Sequence, residues 1–131
     1  MSIIPGVNLP WPILAHAVGL TFLGLKLIFV PSGPPGRASN MLGIAILGLG
    51  LAYLSTSYMP MHENQFLYAS APVRMVLGGV AVLKLLVTGN RMSAEYFKEL
   101  LIVALYDGIG GFLLGWWLGT WWGRIPGFER V

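Results

Sequence analysis

The chain contains no cysteine and little charge. Without cysteine there is no disulfide framework, thiolate zinc site or cysteine nucleophile. Charged residues make up 10% of the 131 positions, against about 25% in soluble domains, so the chain cannot cover itself with a polar surface. Basic runs are missing too. The net charge is +3, but the 8 lysines and arginines form no stripe, which excludes nucleic-acid binding as a function class. There is no phosphate loop, no GxSxG elbow and no dinucleotide fingerprint: Gly108, Gly110 and Gly111 fall inside an apolar run, not after a strand. The two histidines lie on different segments without carboxylates at ligand spacing, so no metal is expected, and no other cofactor. Met1 to Pro10 lacks the basic start of a signal peptide and no cleavage pattern follows, so the first apolar run is expected to be retained.

What is present is apolar: 56% hydrophobic residues and a mean hydropathy of +0.73. Four runs are long enough to cross about 30 Å of hydrocarbon, at residues 11–30, 40–58, 65–88 and 93–122. Pro12 suits a first helical turn, and Ser39 or Asn40 can cap the second run. Ser93, with Glu95 behind it, suits the start of the fourth. Pro31-Ser32-Gly33-Pro34-Pro35-Gly36, Pro60 and Gly89-Asn90 break the runs. No sustained two-residue alternation supports a β-barrel. The expected fold is all-α: a single domain, an integral membrane four-helix bundle with up-down-up-down order.

Lys26, Arg37, Lys84, Arg91 and Lys98 fall on the side of the first and third loops, against Arg124 and Arg130 on the other. This bias places both termini outside or in the lumen, in the plasma membrane or endoplasmic reticulum. Trp11, Trp116, Trp117, Trp121 and Trp122 would then form an aromatic belt on the terminal side.

Arg74 and Asp107 are charges inside apolar runs, and such residues usually face the bundle interior and mark a working site. If 65–88 and 93–122 form a hairpin, each lies fourteen residues from its closed end, about 21 Å along either helix. They meet at one depth. A competing reading starts the third helix at Pro72 and leaves Arg74 snorkelling in its first turn. Asp107 has apolar residues on both sides and no such escape.

Tyr53 comes to a similar depth and needs a partner for its hydroxyl, while Ser55, Ser57, Tyr58 and Tyr68 extend the polar tendency toward the terminal side. His16 reads either as a hydrogen-bonded packing residue or as a base. His62 and Glu63 read either as a solvated linker or as an acid–base pair on a lid. Gly111, Gly115, Gly119 and Gly123 recur every four residues and form one ridge of the fourth helix. Such a ridge serves as a packing seam within the bundle, a homodimer seam or a groove for a flat ligand.

Ala71-Pro72-Val73-Arg74-Met75-Val76-Leu77-Gly78-Gly79 and Leu101-Ile102-Val103-Ala104-Leu105-Tyr106-Asp107-Gly108 carry a family resemblance. They resemble the third-helix arginine and fourth-helix aspartate of a family known as a domain of unknown function. Its members are small four-span membrane proteins of fungi and actinobacteria, similar in shape to DoxX-like proteins. The resemblance covers about residues 65–112 and implies a four-helix membrane fold with Arg74 and Asp107 as a functional pair. It implies no reaction, and the Gly-Trp tail from Gly115 to Trp122 departs from the family pattern.

Two function classes follow. One is a membrane protein that binds an apolar small molecule or acts as a carrier or assembly partner, with the pair fixing helix register. The other is a cofactor-independent isomerase or cyclase acting on a terpenoid- or polyketide-like metabolite. There Asp107 or Glu63 would donate a proton and His16 or His62 accept one. Tyr53, Tyr68, Trp117 and Trp121 are the expected cavity-lining residues. Such an enzyme needs a cavity of about 300 Å³ or more touching Asp107.

Overall fold

The computed structural model describes residues 6–30 and 39–127, the side chains of residues 39–41 aside. Among the described residues the fold is all-α, with four long helices and no strand. They are α1 (Trp11–Phe29), α2 (Ser39–Ser55), α3 (Gln65–Thr88) and α4 (Ala94–Leu118). Single 3-10 turns stand at Met61–Glu63 and Gly89–Arg91. The 31–36 break, Arg37 and Arg130 lie outside the described residues. Three stretches, Trp11–Phe29, Gln65–Arg91 and Ala94–Leu118, are long and apolar enough to cross a membrane. Helix α2 is shorter: its 17 residues rise about 26 Å.

Helices α1 and α3 end within a residue of the expected bounds, but α2 and α4 stop short. Helix α2 ends at Ser55, not residue 58, because a run of hydroxyls takes up its last carbonyls. Thr56 Oγ1 donates to the Ala52 carbonyl at 3.0 Å and Ser57 Oγ to that of Leu54 at 2.6 Å. Helix α4 ends at Leu118, not Trp122. Gly119 turns left-handed at φ 81°, and the N–H groups of Gly119 and Thr120 return to the carbonyls of Trp116 and Gly115. This is the Schellman pattern that stops a helix at a glycine.

By compactness the chain divides into two units, Met1–Phe66 and Leu67–Val131, so α3 begins two residues before the boundary. In the first unit α1 and α2 pack antiparallel through small residues. A Cβ on Gly24 would stand 2.5 Å from the Leu47 backbone nitrogen, and one on Gly50 would stand 2.8 Å from that of Thr21. The segment before α1 is tied to the end of α2 by Asn8, whose N–H donates to the Ser57 carbonyl at 2.7 Å. Its side-chain amide donates to that of Tyr58 at 2.9 Å. Asn64, almost fully buried, donates from Nδ2 to the Thr56 carbonyl at 3.0 Å.

In the second unit α3 and α4 also run antiparallel, joined by the Gly89–Arg91 turn. A Cβ on Gly78 would meet the Gly108 backbone at 2.6 Å, and one on Gly111 would stand 2.8 Å from the Ala71 carbonyl oxygen. Beyond α4, the Trp121 indole folds back over Gly115 and Phe112, donating to the Phe112 carbonyl at 3.1 Å.

Candidate functional site: an ion pair across the second helical pair

Helix α3 runs unbroken from Gln65 through Pro72. A proline inside a helix removes one backbone hydrogen bond, which membrane helices tolerate when the rest of the site is satisfied. Because the helix starts before Pro72, Arg74 is not in a first turn. It is 7% exposed. The snorkelling reading is thereby replaced by the buried one.

Arg74 Nε donates to Asp107 Oδ1 at 3.2 Å. A second guanidinium nitrogen donates to the Tyr106 carbonyl at 3.4 Å, and the guanidinium carbon lies 5.1 Å from the centre of the Tyr106 ring. The carboxylate is met at one oxygen, so the bond is a single charge-assisted contact and not a bidentate fork. Gly110 makes room for it: a Cβ there would stand 2.6 Å from an Arg74 terminal nitrogen. Gly108, Gly110 and Gly111 therefore form a bare strip on α4. Gly108 lies against Gly78 of α3, while Gly110 admits the guanidinium and Gly111 the backbone from Ala71 to Met75. Among the described residues no buried side-chain nitrogen or oxygen lacks a partner.

The depth expected from sequence agrees with this contact. Arg74 is about 21 Å from the end of α3 and Asp107 about 20 Å from the start of α4. Tyr106 and Gly110 are the residues that sequence reasoning did not single out. Their signal was position: one precedes Asp107, and the other follows it by three, close to one helical turn.

The other candidates fall into separate places. In the first unit His16 meets the Tyr53 ring edge-on at 5.5 Å between centroids, and Tyr53 meets Phe66 at 4.8 Å. His16 is half-buried and Tyr53 is 2% exposed, so both belong to an aromatic packing cluster. His62 Nε2 and Glu63 Oε1 lie 3.5 Å apart with both side chains mostly exposed. Tyr68 is buried, Trp117 is exposed, and Trp121 lies over Gly115 and Phe112. Of the four-residue glycine ridge, Gly111 and Gly115 are buried within α4, whereas Gly119 and Gly123 follow it with positive φ. The ridge ends where the helix ends. Gly123 closes on Pro72 and Gly115 on Trp121, so both faces are taken up within the chain.

A groove of about 680 Å³ lies at the closed end of the α3–α4 pair, lined from Lys84 to Val103. Asp107 is not among its walls. Among the described residues no three histidines, aspartates or glutamates come together as metal ligands would. No protein-family model, curated protein or solved structure matches the chain.

Proposed function

We propose that this integral membrane protein is non-catalytic, acting as an assembly partner or as a carrier that binds an apolar small molecule. The Arg74–Asp107 pair fixes the register of α3 against α4. One observation carries this reading: the guanidinium bonds Asp107 and the Tyr106 carbonyl, lies near the Tyr106 ring and rests on the bare face of Gly110. A charge placed inside a span costs about 2.5 to 3.5 kcal/mol, and an opposite charge at the same depth offsets that cost. The contrasting isomerase or cyclase needs a cavity against Asp107, and the groove on this helical pair lies toward Lys84 and Arg91 instead. On this reading α2 also crosses, since it pairs with α1 from Gly43 to Gly50. The positive residues about the Gly89–Arg91 turn face the cytoplasm, leaving the termini lumenal or extracellular. The membrane is that of the endoplasmic reticulum or the cell surface. The family resemblance rests on the two segments that hold Arg74 and Asp107; it implies that they work as a pair and brings no reaction.

The test is mass spectrometry of small molecules that co-purify with the wild type and with Asp107→Asn. We expect the same apolar molecules with both, alongside a lower melting temperature for the variant. Loss of one specific metabolite from the variant, together with its turnover by the wild type, would establish the enzyme instead.

A further inference from the structure

The groove at the closed end of the α3–α4 pair is independent of the ion pair and differs from it in character. Lys84 and Arg91 are both exposed and stand on its walls with Glu99 and the phenol of Tyr96; Leu100 and Val103 supply an apolar side. Among the described residues neither Lys84 nor Arg91 forms an ion pair, with Glu99 or with any other carboxylate. Two cations and one anion leave a net charge of plus one in the groove. Lys84 lies ten residues along α3 from Arg74, about 15 Å, which is half the hydrocarbon thickness of a bilayer. Were the Arg74–Asp107 pair at mid-depth, as the proposed membrane-spanning reading has it, these cations would stand at the headgroup level. Leu100 and Val103 follow Tyr96 along α4 back toward the apolar interior.

We infer that this groove binds the headgroup of an anionic phosphodiester lipid, with Lys84 and Arg91 contacting the phosphate and Leu100 and Val103 receiving the start of an acyl chain. The site rests on the orientation proposed above, which puts this end at the cytoplasmic side, where basic pockets between helices bind anionic headgroups. The net charge of plus one selects a headgroup with a single negative charge and disfavours a zwitterion, whose own cation meets Lys84 and Arg91. Glu99 works against binding and limits its strength.

The experiment uses the full chain in neutral detergent and follows thermal unfolding against dioctanoyl phosphatidylglycerol, dioctanoyl phosphatidylcholine and inorganic phosphate. Phosphatidylglycerol should stabilise the wild type well beyond the other two. Each basic residue near a membrane surface accounts for about a fivefold change in affinity. Lys84→Gln/Arg91→Gln should therefore weaken phosphatidylglycerol binding about 30-fold. Glu99→Gln should tighten it about fivefold, and Lys98→Gln, outside the groove, should leave it unchanged. Equal stabilisation by phosphatidylcholine would reduce the groove to an apolar contact, and an equal effect of inorganic phosphate would make it a site for a soluble anion. Either result overturns the proposal, as does wild-type binding by the double variant. Should that variant not purify, Glu99→Gln decides alone: affinity that stays the same or falls sinks the lipid site.

Discussion

Helices α1 and α2, and helices α3 and α4, each come together at glycines, yet only the second pair carries charge at its contact. In the first pair Gly24 and Gly50 admit the partner backbone, and the remaining specificity comes from rings, with Tyr53 of α2 set edge-on to His16 of α1. In the second, Gly78 meets Gly108 at similar range, and Arg74 bonds Asp107 across the gap. Close approach is common to both because helix association in lipid draws on van der Waals contact and not on water exclusion. Ring packing varies gradually as helices slide. A buried charge does not, because a slip of one residue leaves it without its partner.

The comparison breaks most visibly at Asp107. Asp107→Asn should destabilise the second pair by about 3 kcal/mol, because Arg74 is left charged and unpaired. The double variant Arg74→Gln/Asp107→Asn should lose less than that single change in detergent unfolding. Equal stability of the two would show that the residues are not coupled. Next come the close approaches. Gly24→Ala and Gly78→Ala should each cost about 1 to 3 kcal/mol, since a methyl at either position meets backbone that must move. Similar losses for both would confirm that glycine contact serves the two pairs alike, and a harmless Gly78→Ala would mean that the ion pair alone holds the second.

Tyr53→Leu tests the ring-based specificity of the first pair. It should cost about 1 to 2 kcal/mol beyond lost area, for the edge-on contacts with His16 of α1 and with Phe66 at the start of α3. Gly119→Ala should cost about 1 kcal/mol for a different reason. Open space surrounds Gly119, but its φ of 81° strains any side chain. The smallest effect belongs to Gly108→Ala. Only the Gly78 Cα, at 4.0 Å, stands near its added methyl, so melting within about 0.5 kcal/mol of the wild type is expected. Gly78 and Gly108 thus face each other with unequal tolerance.

Much of this was legible in the chain. Composition and four apolar runs gave the all-α membrane fold, and counting from the Gly89-Asn90 break placed Arg74 and Asp107 at one depth. The helix ends were less legible. Trp121 and Trp122 are as apolar as the helix before them, and glycine at every fourth position hid Gly119, the first of the series that takes a left-handed turn and the one that ends the helix. Hydropathy cannot see a backbone dihedral. The bare strip at Gly108, Gly110 and Gly111 was visible as sequence, but its use depends on what lies opposite. A period of four marks a ridge without telling which side chain rests on it, and here the load is a guanidinium from α3. Depth suggests Tyr53 as a neighbour of the pair, and residue type alone suggests His16, His62 and Glu63 as acid–base groups. In the fold His16 meets the Tyr53 ring, and His62 and Glu63 stand side by side as the sequence pairs them.

The single-point contact between Arg74 and Asp107 also bears on how the chain enters a membrane. Each residue alone adds about 2.5 to 3.5 kcal/mol to the insertion of its own helix. The link between those helices is only the short Gly89–Arg91 turn. Neither helix should therefore leave the insertion machinery readily by itself, and the two should partition into lipid together, after α4 has been synthesised. A chain truncated at Asn90 should show α3 inserting poorly in a glycosylation-mapping assay, with Arg74→Leu restoring it. For this stretch the expected unit of biosynthesis is the pair of helices, with its timing set by the second charge.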